Sequence, residues 1–160
     1  MRNPIKETSL LPPAFKFPEP ADLDISIILV SYNTCEILLR CLESIKKHTQ
    51  GMTHEVIVVD NASNDGTVAA VGEYFPEIKV IANADNRGFS AANNQGVVSS
   101  KGRKIALLNP DTLLTENSFQ KILTYMEAHS EYSILGSGII DENNQPCPIR
   151  LWEDRPQDAA

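Results

Sequence analysis

Four short apolar runs punctuate this chain. Each stops abruptly in a polar cluster, and a helical pattern follows. The runs are Ile25-Ser-Ile-Ile-Leu-Val30, Glu55-Val-Ile-Val-Val-Asp60, Ile78–Ala82 and Lys104–Leu108. The helical patterns cover about Cys35–His48, the residues from just after the polar turn Asn61–Thr67 to about Tyr74, Phe89–Ser99 and Asn117–His129, with Ile37, Leu38, Cys41, Leu42 and Ile45 as the apolar stripe of the first. Strands that alternate with helices imply β-α-β units, right-handed crossovers and a mostly parallel, twisted sheet with flanking helices, an α/β fold. The first run is nearly all apolar, as a central parallel strand requires. Thr34 or Asn33 is suited to cap the first helix, and Asp65-Gly66-Thr67 to cap the second. Residues 133–140 read as a further strand. Asp141-Glu-Asn-Asn-Gln145 reads as a hairpin turn before a returning strand near Cys147–Leu151.

In a parallel sheet the four polar clusters lie on one edge, outside the carboxyl ends of the strands, where such sheets bind ligands. The clusters are Ser31-Tyr32-Asn33, Asp60-Asn61, Asn83 to Gly88, and Asn109-Pro110-Asp111. Each is ordinary loop composition by itself, and their convergence is the signal. Tyr32 offers a ring face for a nucleobase. Asn61 carries a donor and an acceptor, which complement the N3–H and a ring carbonyl of uracil or thymine. Asp60 is placed to anchor the loop or contact the nucleoside. Arg87-Gly88 before a helix N-terminus suits a diphosphate, through guanidinium, helix dipole and backbone N–H groups. Pro110 cannot donate to a ladder, so Asp111 is lifted off the strand end. A single carboxylate there suits Mg2+ or Mn2+ that a phosphorylated ligand also holds. The plain alternative for Asn-Pro-Asp-Thr is a turn.

The chain has 160 residues, 42% of them hydrophobic, enough for one domain with a sizeable core. Residues 1–22 hold Pro4, Pro12, Pro13, Pro18 and Pro20 without periodicity and read as an arm or linker, leaving 23–160 as the domain. A net charge of −7 argues against a nucleic-acid partner. Cys35, Cys41 and Cys147 lack metal-ligand spacing and read as free thiols of a reducing compartment. No apolar run approaches the ~20 residues of a membrane span, and no signal-peptide core is visible. The expectation is a cytoplasmic protein, including one peripheral to the inner membrane face.

With these clusters assembled, the chain resembles the N-terminal half of family 2 glycosyltransferases of the GT-A fold. The resemblance rests on Ile27-Ile-Leu-Val-Ser-Tyr-Asn33, Val56-Ile-Val-Val-Asp-Asn-Ala-Ser-Asn-Asp-Gly-Thr67, Asn86-Arg-Gly-Phe-Ser-Ala-Ala-Asn-Asn-Gln-Gly96 and Leu107-Leu-Asn-Pro-Asp111, and covers roughly 25–140. Their form is most similar to the rhamnosyltransferase and galactofuranosyltransferase branches, which use dTDP- or UDP-sugars. The resemblance implies Tyr32 as base-stacking residue and Asn61 where many members place a base-reading aspartate. It implies Asp111 as the metal ligand of the D-x-D motif. Asn109 stands where that motif has its first aspartate, free to hydrogen-bond the ribose or shape the loop.

The implied reaction moves a sugar from a UDP- or dTDP-sugar to a hydroxyl of a glycan or lipid-linked acceptor, with inversion, in cell-wall or polysaccharide biosynthesis. The family's base is an acid well downstream of D-x-D. Glu153 and Asp154 come too soon and read as a solvated tail. The chain therefore reads as a truncated GT-A domain that holds the donor half, lacks the acceptor half, and is prone to homo-oligomerise through surface left uncovered. Two rival readings are an inactive nucleotide-sugar-binding or scaffold protein and a nucleotidyltransferase. Ser31-Tyr-Asn-Thr34 disfavours the latter, which would place a glycine-rich basic loop there.

Overall fold

The computed structural model describes residues 22–141 and 143–147. Most of the proline-rich arm (1–21), the returning strand beyond Cys147, and the Glu153–Asp154 pair lie outside the described residues. The chain divides into two compact units after Gln120.

The first unit is built on four parallel strands: β1 (Leu23–Ser31), β2 (His54–Asp60), β3 (Lys79–Ala82) and β4 (Gly102–Leu108), in spatial order β3-β2-β1-β4. Helices α1 (Cys35–His48), α2 (Thr67–Tyr74) and α3 (Phe89–Ser99) connect them. Register puts Ser31 opposite Asp60, Asp60 opposite Ala82, and Leu29 opposite Leu108. All four polar clusters therefore do emerge at one end. Adjacent strands are about 4.8 Å apart, so the clusters span roughly 14 Å.

β1 and β2 are central, and their runs are buried because both faces are covered. On one face Ile28, Ile57 and Val59 pack with Ala92 of α3. A Cβ at Gly96 would overlap the Ile28 side chain, so this close approach needs a glycine. The alternate residues Ile27, Leu29 and Val58 point to the opposite face and are fully buried. α1 buries Leu38, Cys41, Leu42 and Ile45 at helical spacing. The chain steps from β1 outward to β3, then returns to β4 beside β1. That reversal makes the gap between β1 and β4 the topological switch point.

The last helix, α4 (Ser118–Ala128), ends inside the second unit. There Tyr125 stacks on His129 with ring centroids 4.3 Å apart. The Asp141 turn forms, with Asp141 Oδ1 accepting from the Asn143 and Gln145 amides and a single antiparallel bridge from Ile140 to Pro146. The strand expected over 133–140 does not form. Gly136 and Gly138 weaken an extended run, Ile134 is 89% exposed, and among the described residues pairing is limited to the Ile140–Pro146 bridge and the bond from Cys147 N to Ile139 O.

Candidate functional site

The loops after β1 and β2 are laced together. Asp60 Oδ2 accepts from Ser63 N at 2.9 Å, Ser63 Oγ accepts from Asn33 N at 2.9 Å, and Asn33 Oδ1 accepts from Asn64 N at 2.8 Å. Ser31 is fully buried and shares a hydroxyl hydrogen bond with Thr34 at 2.9 Å. Ser31 and Asn33, expected at the ligand, thus use their polar groups to build the loop. The residue between them, Tyr32, is left half exposed. Two non-glycine residues here take left-handed backbone: Asn33 (φ 54°) and Ala62 (φ 66°). Asparagine tolerates that region, whereas alanine costs about 1–2 kcal/mol. Such strain persists where surrounding bonds over-determine it.

Capping departs from the sequence expectation. Neither Thr34 nor Asn33 caps α1 through its side chain. Asp65 Oδ2 accepts from Cys35 N at 2.8 Å, while Asp65 Oδ1 accepts from Thr67 N and the Thr67 hydroxyl. One carboxylate serves the N-termini of two helices. The Thr67 hydroxyl, then the Cys35 and Thr67 amides, hold it below the usual carboxylate range.

Asp60 is 2% exposed, and its Oδ1 is buried with no hydrogen-bond partner among the described residues. An unpaired buried carboxylate oxygen is costly, so this one invites a donor from another molecule. Asn61 is equally buried, and its amide is engaged within the protein. Its Nδ2 donates to Gly88 O at 3.3 Å, and its Oδ1 accepts from Asn83 Nδ2 at 2.9 Å. Any base contact by Asn61 must use its second N–H and second lone pair.

Gly88 caps α3 with φ 80° and ψ 162°, a conformation reserved for glycine. Asn86 Oδ1 accepts from Gly88 N at 2.9 Å, and no side chain caps the first turn. Arg87 is exposed and faces Asp85 at 3.7 Å, a solvent-exposed pair of little energetic weight that a phosphate can displace.

Asn109 and Asp111 follow β4 and are exposed. The segment beyond them is held against α1, where Ser44 Oγ accepts from Leu114 N at 3.1 Å. No cluster of three His, Cys, Asp or Glu side chains that could hold a metal exists among the described residues. Asp111 fits a hard cation that takes one carboxylate here and its remaining oxygens from a ligand and water. Cys41 lies beneath this loop, and its thiol is pushed up to about 12 by burial and then by the Asp111 charge. It is no nucleophile near neutral pH.

Sequence reasoning missed Gln95, which pairs with Asn83 from within α3, and it read Asp65 only as a cap of the second helix. The signal for Gln95 was the run Asn93-Asn94-Gln95 in a helix otherwise made of small and apolar residues.

The family model for glycosyl transferase family 2 matches residues 26–153. The chain belongs to this family. A succinoglycan biosynthesis protein, ExoO of Rhizobium meliloti, is 33% identical over 108 residues, covering 66% of this chain and 30% of that protein. The chain thus spans less than a third of that relative's length. S. aureus TarS 1-349, solved in complex with UDP, superposes with a TM-score of 0.61 at 22% identity over 68% of this chain and 33% of that 1-349 chain. A mannosyltransferase of Pyrobaculum calidifontis, solved with GDP-Man and Mn2+, superposes with a TM-score of 0.55 at 23% identity, covering 67% and 34%. The sheet with its flanking helices is that of the GT-A fold.

Proposed function

We propose that this chain forms the donor site of a glycosyltransferase that takes a UDP- or dTDP-sugar and passes the sugar, with inversion, to a hydroxyl of a glycan or lipid-linked acceptor. One observation carries the reading. Exposed Tyr32 and exposed Asp111 flank the switch point between β1 and β4, in line with the orphaned Asp60 oxygen and the uncapped start of α3. A neighbour of the same fold was solved with UDP, and another with GDP-Man and Mn2+.

In this reading Tyr32 stacks on the base, and Asp60 Oδ1 accepts a hydrogen bond from the nucleoside. Asn61 supports the base side, and Asn109 meets the ribose. Arg87 leaves Asp85 for the diphosphate, whose charge also suits the α3 N-terminus. Asp111 holds Mg2+ or Mn2+, which when bound neutralises charge on the departing diphosphate. In the transfer, the acceptor oxygen bonds to the anomeric carbon and the carbon–oxygen bond to the diphosphate breaks. The diphosphate leaves with the electron pair, and the acceptor proton passes to a general base.

Calorimetry tests the proposal. UDP or dTDP binding should depend on Mn2+ or Mg2+, and Asp111→Ala should weaken it about tenfold or more. Equal affinity in both proteins removes Asp111 from the metal site. In competition UDP or dTDP should displace GDP, and the reverse order sinks the base assignment. Turnover of a donor by the chain alone would rule out the reading as a non-catalytic nucleotide-sugar-binding protein.

A further inference from the structure

Three carboxamides on three different elements meet beside the site. Asn83, just past β3, and Gln95, two turns into α3, bond face to face. Asn83 Nδ2 donates to Gln95 Oε1 at 2.8 Å, and Gln95 Nε2 donates to Asn83 Oδ1 at 2.9 Å. Asn83 Nδ2 also donates to Asn61 Oδ1 at 2.9 Å. That leaves the Asn61 amide nitrogen directed at Gly88 O, 3.3 Å away. The same carbonyl accepts from Ala92 N at 3.2 Å, the first hydrogen bond of α3. Asn83 is also anchored through its backbone, donating to Asp60 O at 2.9 Å.

The donor and acceptor ends of these amides are not interchangeable. A carboxamide offers a carbonyl on one side and an N–H pair on the other, so the paired Gln95 and Asn83 fix which way Asn83 faces. Asn83 then fixes Asn61. Asn61 ends on the one residue of the turn whose backbone only glycine adopts readily. Partly buried amide networks of this kind gain strength when fully satisfied, and this one is satisfied at every link named.

We propose that Asn83 and Gln95 are positioning residues for the diphosphate half of the donor site. Through Asn61 they hold Gly88, and with it the first-turn N–H groups of α3 and the adjoining Arg87, at the place where phosphate binds. The inference rests on the donor-site reading above and deepens it. It separates two parts of that site. The side chains of Tyr32 and Asp60 stand in loops laced by Ser63 and Asn33, through bonds that neither Asn83 nor Gln95 side chain makes, and Asn61 is the link between the two parts. Phosphate recognition depends on Gln95, although Gln95 is never required to touch the ligand.

The test compares UDP with UMP, each displacing a fluorescent UDP analogue in the presence of Mn2+, on wild type, Gln95→Leu and Gln95→Glu. Gln95→Leu removes both bonds to Asn83. It should lower UDP affinity about fivefold to tenfold, the size expected for one or two hydrogen bonds, while UMP affinity stays within about twofold. The UDP-to-UMP ratio therefore falls. Gln95→Glu keeps the acceptor but faces Asn83 Oδ1 with a second carboxylate oxygen near neutral pH. Its ratio should lie between the other two and move back toward wild type below about pH 4, as the carboxyl regains a proton. Thermal melting reports whether each variant is folded, and Gln95→Glu carries the test if Gln95→Leu is not. A uniform loss of UDP and UMP, or no loss of either, overturns the positioning role. If wild type fails to bind the analogue, the donor-site reading falls and this inference falls with it.

Discussion

The two ends of the same sheet are finished differently. At the amino end the carboxylates of Asp24 and Glu55 are both answered from within. Asp24 accepts from Thr53 N and Oγ1, both at 2.9 Å, and from Arg103 at 2.6 Å. Ser26 Oγ donates to Glu55 at 2.6 Å and accepts from Gly102 N at 2.8 Å, while Lys101 N also reaches Glu55. At the carboxyl end Asp60 keeps a buried oxygen unpaired, Ala62 is strained, and Tyr32 and Asp111 stand exposed. One end closes on itself. The other leaves polar groups unpaired and backbone strained, the pattern expected where a fold trades stability for function.

Three substitutions probe that contrast, and the largest effect belongs to the closed end. A Cβ at Gly102 would run into the backbone of Ile25 and Ser26, which cannot move without breaking the ladder. Gly102→Ala should cost about 3 kcal/mol of stability by urea unfolding. An unchanged midpoint would mean that this end yields more than its bonding suggests.

Next, Asp60→Asn at the open end keeps an acceptor for Ser63 N but exchanges the orphan oxygen for an amide nitrogen. Nucleotide affinity should fall about tenfold, near 1.4 kcal/mol, while unfolding stability moves by less than about 0.5 kcal/mol. A large stability loss with intact binding would make Asp60 a loop anchor only.

The smallest effect is one of pH. Hydrogen bonds from Thr53 N, then from Arg103 and the Thr53 hydroxyl, lower the Asp24 carboxyl from 3.8 to about 2. A depressed folded-state value means that its contribution is present above about pH 4 and is lost as pH falls toward 2. Asp24→Asn should flatten that part of the stability profile. Parallel profiles for variant and wild type between pH 4 and 2 would assign acid sensitivity to other carboxylates.

How much of this was legible beforehand follows the range of the interactions. α1 and α3 begin and end where local patterning put them, and α2 ends there but takes in Thr67 from the turn, because stripes and turn residues are local signals. β2 and β4 start one and two residues before the apolar runs read from sequence, at His54 and Gly102, since ladder bonds do not require apolar side chains. The stretch 133–140 had strand-like composition, but among the described residues its pairing stops at the Ile140–Pro146 bridge, and composition cannot supply more. Within the site the positions of Tyr32, Asp111, Arg87 and Gly88 followed from topology alone. The partners of Asn61 did not. They lie 22 and 27 residues away, and only the folded chain brings them to one amide. Likewise the α1 cap was read from the nearest suitable residue, whereas its acceptor comes from 30 residues downstream.

That acceptor, Asp65, has a kinetic meaning as well. The loops after β1 and β2 each begin a helix, and a single carboxylate is the first anchor of both. Loosening either loop therefore frees orphan amides at the start of two helices at once. The pair should open and close as one cooperative unit, not as two independent flaps.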